Sequence, residues 1–312
     1  MMAMRFSWAA RAWVWVALAG LLMWGGAGCS VSAEQELALG AESHGKFEQQ
    51  SGGKLNDPEI QGYVNSVGMQ MARLAGRPDM KWQFAVLNSN QINAFAVPGG
   101  YIYITQGLLF KMSNESQLAG VLGHEAGHIA ARHSAQQMER SQTVGLLSAG
   151  VGVIAQQAGY AAMGQLGDVA SQFYLLRYSR DHEREADMLG LQYMTQAGYN
   201  PRGMVQLMEV LKTASGGKSS GGLGEWTQTH PDPGNRIEYL NATIKERYAA
   251  MERTGKVGER EFKQKVLSRR RAGTGGVDLG NPVLWCGHCR DEAVARVGSG
   301  RGELLREMGG SQ

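Results

Sequence analysis

The chain has 312 residues, a formal net charge of +3 and an ordinary aromatic and aliphatic content, which fits one large globular domain or a domain with appendages. No basic stretch has the pattern of a nucleic-acid-binding surface, so we exclude nucleic acid as a partner. The 44 glycines are more than usual and concentrate in loops and in the C-terminal tail.

Residues 1–28 have the pattern of a secretory signal peptide. Two arginines precede an apolar stretch at residues 12–23, which ends in Gly26-Ala27-Gly28-Cys29. This ending resembles a lipoprotein signal-peptidase site with Cys29 as the lipidated residue, although Gly26 stands where leucine is usual. The residue after Cys29 is not Asp, which favours the outer membrane of a Gram-negative envelope. The alternative is an uncleaved N-terminal anchor in the inner membrane, because the apolar stretch is nearly long enough to span it.

Helical and extended patterns follow each other in the next part of the chain. The predicted helices are residues 34–50 and 57–74, and the predicted strands are residues 82–87, 94–97 and 101–104. Pro98-Gly99-Gly100 indicates a hairpin-like connection between the last two strands. The strand at 94–97 could bind an extended substrate at the sheet edge, with Asn93, Ala94, Phe95, Ala96 and Val97 as candidate contacts.

The most informative stretch is Gly123-His124-Glu125-Ala126-Gly127-His128, within a long helix that we expect to begin at Ser113. Two histidines four residues apart lie one turn apart on the same helix face, so both imidazoles can reach one metal ion. Glu125 is placed to take a proton from the attacking water. A chance match to this short pattern on an amphipathic helix is the alternative.

The second half of the chain alternates between charged helices and glycine-rich segments. Residues 144–164 are rich in Gly and Ala, and two glutamines and five glycines favour a small-residue hairpin or flap over a membrane span. Further helices are predicted at residues 178–197, 200–211 and 232–248, with a loop at 214–224. We place a metal-binding domain at residues 29–252 and a basic, weakly ordered tail at residues 253–312. The predicted fold is α+β and mostly helical, with a small sheet beside the helix of the two histidines.

A catalytic zinc site needs three protein ligands and an open position for water. In the acidic stretch at residues 181–187, Glu183 and Asp187 share a helix face, whereas Glu185 points about 200° away from Glu183. One carboxylate can therefore bind the metal, while Asp187 can hold a ligand imidazole in its orientation. A solvated, salt-bridged helix face is the alternative.

Several separated motifs occur together in this order. They are Asn93 to Gly100, the His124–His128 helix, Tyr178-Ser179-Arg180, Glu183-x-x-Ala186-Asp187, and Thr229-His230-Pro231 with Arg236. This set resembles the HtpX and CAAX prenyl protease type family of membrane-associated gluzincin metallopeptidases, above all its bacterial periplasmic lipoprotein branch. The resemblance covers residues 34–250 and does not reach the tail.

The resemblance implies one Zn²⁺ per chain, held by His124, His128 and Glu183. It also implies that His230 and Arg236 lie near the metal. His230 either fills the fourth zinc position as a plug, or it or Arg236 stabilises the oxyanion of the scissile carbonyl. The expected substrates are misfolded or stalled envelope proteins.

Two other classes of function are weighed against this one. A non-catalytic envelope assembly factor or chaperone could retain zinc for structure. A thiol oxidoreductase could use Cys286 and Cys289, but the thioredoxin framework is missing, and a local disulfide or an incidental pair is favoured. The remaining histidines, which fit no ligand pattern, are predicted to be surface or packing residues: His44, His133, His182 and His288.

Overall fold

A computed structural model of the chain describes residues 30–140, 178–216, 230 and 234–271. Several sequence predictions concern residues outside these ranges: the signal peptide with Cys29, the segment 144–164, most of the loop 214–224, and Cys286, His288 and Cys289. The described part is mostly helical with one three-stranded sheet, which confirms the predicted α+β class. Within these ranges, no helix is both long and apolar enough to cross a membrane.

The first part of the fold contains four helices and all three strands. Their bounds are α1 Ala33–Gln50, α2 Pro58–Leu74, β1 Gln83–Leu87, β2 Ala94–Val97, β3 Tyr101–Thr105, α3 Gln106–Leu109 and α4 Glu115–Ala130. Helix α2 begins as predicted, with the Asp57 carboxylate accepting from the amides of Glu59 and Ile60. The long helix begins at Glu115, two residues later than predicted, because the side chain of Asn114 caps it by accepting from the Gln117 amide.

The elements that the structure describes in the second part are all helices or helical turns. Residues 133–140 continue as helix after α4. The later elements are α5 Arg180–Gln196, α6 Arg202–Gly216, α7 Gly234–Arg247, α8 Ala249–Thr254 and α9 Glu259–Phe262, then a π-helical turn at Lys263–Leu267 and a 3-10 turn at Arg269–Arg271.

The sheet has the strand order β1-β3-β2. Strands β2 and β3 pair antiparallel, with Ala94 opposite Ile104 and Val97 opposite Tyr101, so the predicted hairpin is present. Gly99 and Gly100 in its connection have φ of 85° and 100°, which side chains other than glycine rarely adopt. Strand β1 pairs parallel with β3, which leaves β2 at one edge of the sheet and packed against α4.

Helix α4 is the centre of the domain. Every residue from Glu115 to Ile129 is buried, and α4 packs against α2, α5 and α6 as well as β2. A helix buried on all sides holds its side chains in fixed positions, because neighbours contact each face. The two histidines of the motif therefore lie in the most tightly packed part of the molecule.

The domain extends beyond the predicted boundary at residue 252. Phe262 and Val266 are fully buried in the main core. Glu115, the first residue of α4, accepts hydrogen bonds from Lys256, and from the hydroxyls of Tyr63 and Tyr199 at 2.6 Å each. Burial alone would raise the pKa of Glu115, but these hydrogen bonds outweigh it and lower that pKa. Residues up to Arg271 thus belong to the folded domain, and only residues 272–312 of the predicted tail lie outside the described ranges.

Ending the chain at the predicted boundary should destabilise the domain. A chain that ends at Glu252 loses the burial of Phe262 and Val266, each about 1.5–3 kcal/mol, and leaves Glu115 without its cation. We expect its midpoint of thermal unfolding to fall by at least about 6 °C relative to a matched chain that ends at Arg271. Equal midpoints for the two chains, measured by circular dichroism, would contradict this assignment.

Candidate metal centre

Helices α4 and α5 cross at very close range, and this crossing assembles the site. A Cβ atom at Gly190 would lie 2.9 Å from the backbone nitrogen of His124. One at Gly127 would lie 2.9 Å from the carbonyl oxygen of Ala186. Since real Cβ atoms do not approach backbone this closely, glycine is required where the two helices touch. Side chains from both helices can consequently reach one common point.

At that point four buried residues offer metal ligands: His124, His128, Glu183 and His230, with one ligand atom of each within 4.8 Å of the others. The Nε2 atoms of His124 and His128 are 3.1 Å apart. Glu183 Oε2 lies 3.6 Å from His124 Nε2, and Glu183 Oε1 lies 3.3 Å from His128 Nε2. Ligands at 2.0–2.1 Å from a tetrahedral zinc are about 3.3 Å apart, so this set fits zinc.

The protonation of these groups suits a cation. Burial holds the pKa of His128 well below its ordinary value, which leaves a neutral imidazole that can bind a metal. Burial alone would raise the pKa of Glu183, but the charges of His230 and Arg236 and a hydrogen bond from His230 hold it well below its ordinary value. Glu183 is therefore an ionised carboxylate enclosed by donors.

Glu125 lies next to this group and is itself fully buried. Neither carboxylate oxygen has a hydrogen-bond partner among the described residues, and His230 Nε2 is 3.7 Å from Oε1. Burial raises the pKa of Glu125. An unbonded buried carboxylate with a raised pKa has the properties of a general base.

Asp187 and Arg236 support the ligands from the other side. Asp187 Oδ1 lies 2.9 Å from His124 Nδ1, as expected for a residue that orients that imidazole. Arg236 donates to both oxygens of Asp187, at 2.8 and 2.5 Å, and to Glu183 Oε2 at 2.7 Å. Tyr239 also donates to Asp187. Because its donors are directed at the two carboxylates, the arrangement favours a role for Arg236 in positioning these acids over a role at the oxyanion.

His230 is brought into the site from the segment before α7. Its Nδ1 atom is 2.8 Å from Glu183 Oε1, and its ring is fully buried among the other ligands. Burial alone would lower the pKa of His230, but the negative charge of Glu183 outweighs it and raises that pKa. Its Nδ1 atom faces Glu183 Oε1, its Nε2 atom lies 3.7 Å from Glu125 Oε1, and one of its nitrogens belongs to the group of ligand atoms, so its position fits a fourth ligand.

Two histidines that fit no ligand pattern in the sequence lie against this centre. His133 is fully buried, with Nδ1 2.9 Å from Nδ1 of His128, and His182 stacks on the His133 ring at 4.4 Å. Both rings are buried, and His133 contacts a ligand histidine although it fits no ligand pattern in the sequence. In an uninterrupted helix His133 would point away from His124 and His128, but α4 ends at Ala130. His44, in contrast, lies on α1 and stacks on Tyr101 of the sheet.

The candidate substrate strand has the position that its proposed role needs. Strand β2 is one of the two edge strands of the described sheet, and it packs against α4. Asn93, Ala94 and Val97 are buried, and Ala96 is partly exposed. An extended peptide could pair with an edge strand in this position.

Two crossing helices supply two histidines and a glutamate, with a further glutamate beside the first histidine, and this is the arrangement of residues found in metallopeptidases of the zincin class. The sequence profile of peptidase family M48 matches residues 58–244, and the chain belongs to that family.

Characterised relatives agree with this placement. The chain is 32% identical over 219 residues to the beta-barrel assembly-enhancing protease of Escherichia coli (strain K12), covering 68% of this chain and 44% of that protein. It is 33% identical over 185 residues to the mitochondrial metalloendopeptidase OMA1 of Schizosaccharomyces pombe, covering 59% and 53%. It is 29% identical over 161 residues to the metalloprotease YcaL of E. coli, covering 52% and 61%. The chain thus spans about half the length of the curated relatives that it matches.

The two glutamates of α5 should differ in their effect on metal binding. Glu183→Ala removes a carboxylate that lies 3.3–3.6 Å from both histidine nitrogens, so we expect zinc to be lost from the purified protein. The matched Glu185→Ala removes a carboxylate whose side chain is 59% exposed, and about one zinc per chain should remain. Metal analysis by mass spectrometry measures both, and equal zinc loss in the two variants would disprove the assignment of Glu183.

Proposed function

We propose that the protein is a zinc-dependent endopeptidase of the bacterial cell envelope that hydrolyses misfolded or stalled envelope proteins. The observation that carries this proposal is Glu125, a buried carboxylate without hydrogen-bond partners among the described residues, beside a ligand group of the size that zinc requires. The similarity to a beta-barrel assembly-enhancing protease of E. coli and to a metalloendopeptidase of Schizosaccharomyces pombe supports it.

In this proposal His124, His128 and Glu183 hold one zinc ion. When bound, zinc polarises the scissile carbonyl and lowers the pKa of a water molecule. Glu125 takes the proton of the attacking water and passes it to the leaving amine, which its raised pKa suits. The edge of β2 holds the substrate in extended form through main-chain hydrogen bonds, so side-chain specificity is weak.

We also propose a branch of the family and a mode of membrane attachment for this protein. The motif resemblance supports the periplasmic lipoprotein branch of the HtpX and CAAX prenyl protease type family, with a lipid on Cys29 that attaches the protein to the outer membrane. An N-terminal anchor in the inner membrane is the alternative. Mass spectrometry of the membrane-extracted protein distinguishes them, because only lipid modification removes residues 1–28 and adds acyl chains to Cys29.

A non-catalytic assembly factor that retains zinc for structure is the second candidate. One observation favours it: with His230 as fourth ligand, the site would be closed by protein, as structural sites are. The deciding experiment is metal analysis combined with casein proteolysis, with and without chelator. Proteolysis that a chelator abolishes and zinc restores supports the peptidase, whereas a zinc-loaded protein without proteolysis under any condition supports the assembly factor.

Replacing Glu125 should separate chemistry from metal binding. Glu125→Gln keeps the shape of the side chain but cannot take a proton, so we expect proteolysis to fall by about a hundredfold or more with zinc content unchanged. Glu42→Gln, on the exposed side of α1, is the matched control and should cleave casein at the normal rate. Near-normal turnover by zinc-loaded Glu125→Gln would remove Glu125 from the mechanism.

His230→Ala distinguishes the two proposed roles of that residue. We favour the plug, because the His230 ring lies within the ligand group, so removal of the ring should open the fourth position and raise basal proteolysis. An oxyanion donor predicts the opposite, a loss of about a hundredfold. Initial rates of casein cleavage under saturating zinc measure the sign. Unchanged activity together with unchanged zinc affinity would exclude both roles.

A further inference from the structure

A left-handed backbone turn follows the helix of the two ligand histidines. Helix α4 ends at Ala130, and Arg132 has φ of 58°, a conformation that non-glycine residues rarely adopt. Contacts with α1 hold it there, because the Arg132 guanidinium donates to Glu36 at 2.9 Å and to the carbonyl of Val31 at 2.6 Å. In an uninterrupted helix His133 would be about 500° of rotation from His128, but the turn places the two imidazoles in contact.

The contact joins three side chains in a row. His133 Nδ1 is 2.9 Å from His128 Nδ1, and His133 Nε2 is 3.3 Å from Glu185 Oε2. The other nitrogen of His128, Nε2, faces His124 and Glu183. His128 therefore lies between the ligand group on one side and His133 on the other.

The contacts among His128, His133 and Glu185 determine which ring nitrogen of each histidine carries the proton. A neutral His128 that binds a cation through Nε2 carries its proton on Nδ1, where it needs an acceptor. The acceptor at 2.9 Å is His133 Nδ1, so the proton of neutral His133 is on Nε2 and is donated to the Glu185 carboxylate. This arrangement gives each of the two contacts of His133 one donor and one acceptor.

We infer that His133 is the positioning residue for His128. It accepts the Nδ1 proton, selects the tautomer that presents Nε2 to the cation, and fixes the ring, as Asp187 does for His124. The inference rests on the proposed zinc binding. The turn at Arg132 is what brings His133 to this nitrogen of His128.

Buried aromatic rings surround His128 and His133, so solvent cannot replace His133 as the acceptor for the Nδ1 proton of His128. His133 is 0% exposed, His182 stacks on its ring, and Tyr178 stacks on His128 at 4.0 Å. If the His133 acceptor is removed, the Nδ1 proton of His128 is therefore buried without a partner, which is costly. Loss of a partner that orients a ligand typically weakens metal binding by about 10- to 100-fold.

The test compares two substitutions at one position. His133→Phe keeps a ring and removes both nitrogens, and it should weaken zinc binding by about 10- to 100-fold in a chelator competition. His133→Asn places an amide oxygen near the former Nδ1 and should restore affinity to within about fivefold of the unmodified protein. His44→Phe, on α1 and away from the ligands, is the control and should leave affinity unchanged. In the Co²⁺-substituted proteins the visible absorption bands should shift for His133→Phe only.

The outcomes separate this inference from the proposed function. If the unmodified protein binds no zinc, the proposed function fails, whereas equal zinc affinity and equal Co²⁺ spectra in unmodified protein and His133→Phe overturn only the role of His133. If His133→Phe does not fold, nitrogen NMR of the zinc-loaded unmodified protein decides instead. A His133 protonated at Nε2, coupled across the hydrogen bond to His128 Nδ1, supports the inference. A His133 protonated at Nδ1 overturns it.

Discussion

The close crossing of α4 and α5 is the constraint on which the rest of the site depends. Glu183 can reach the histidines only because Gly127 and Gly190 let the two backbones touch. The approach also excludes water from the interface, so polar groups there must find protein partners. The neighbouring helices keep the crossing in place, since α4 is buried on every face and α2 and α6 also pack against it.

Burying the acidic residues of α5 creates an electrostatic requirement. Glu183 and Asp187 are both ionised and almost fully enclosed, while Arg236 is the cation that contacts both among the described residues. An excess of buried negative charge is costly unless another cation offsets it. Without a metal, this negative charge raises the pKa of His230, which favours a positive charge on that imidazole. A divalent ion in the ligand group offsets more of the negative charge. The charges that hold the ligands in place thus also favour a metal.

The parts of this structure that were predictable are those that local sequence determines. The spacing of His124 and His128, the cap at Asp57 and the hairpin at Gly99 each depend on a few neighbouring residues. The position of His133 was not predictable, because tertiary contacts from Glu36 and Val31 to Arg132 produce the turn before it. Likewise, β1 pairs parallel with β3, and nothing in the sequence pattern of either segment indicates which strand it pairs with. The buried residues Phe262 and Val266 were also not predictable, because they lie within a basic stretch whose composition is typical of a weakly ordered tail.

The two ligand histidines are supported in different ways, and the difference has a consequence for the site. His124 is held by the ionised Asp187, which is locked by Arg236 and buried, so its hydrogen bond is charge-assisted and shielded from solvent. His128 is held by neutral His133, and that row ends at Glu185, whose side chain is 59% exposed. A charged acceptor makes its imidazole a stronger ligand than a neutral one does. The His124 side is therefore the rigid half of the centre, and the His128 side is the half that solvent and neighbouring charges can influence.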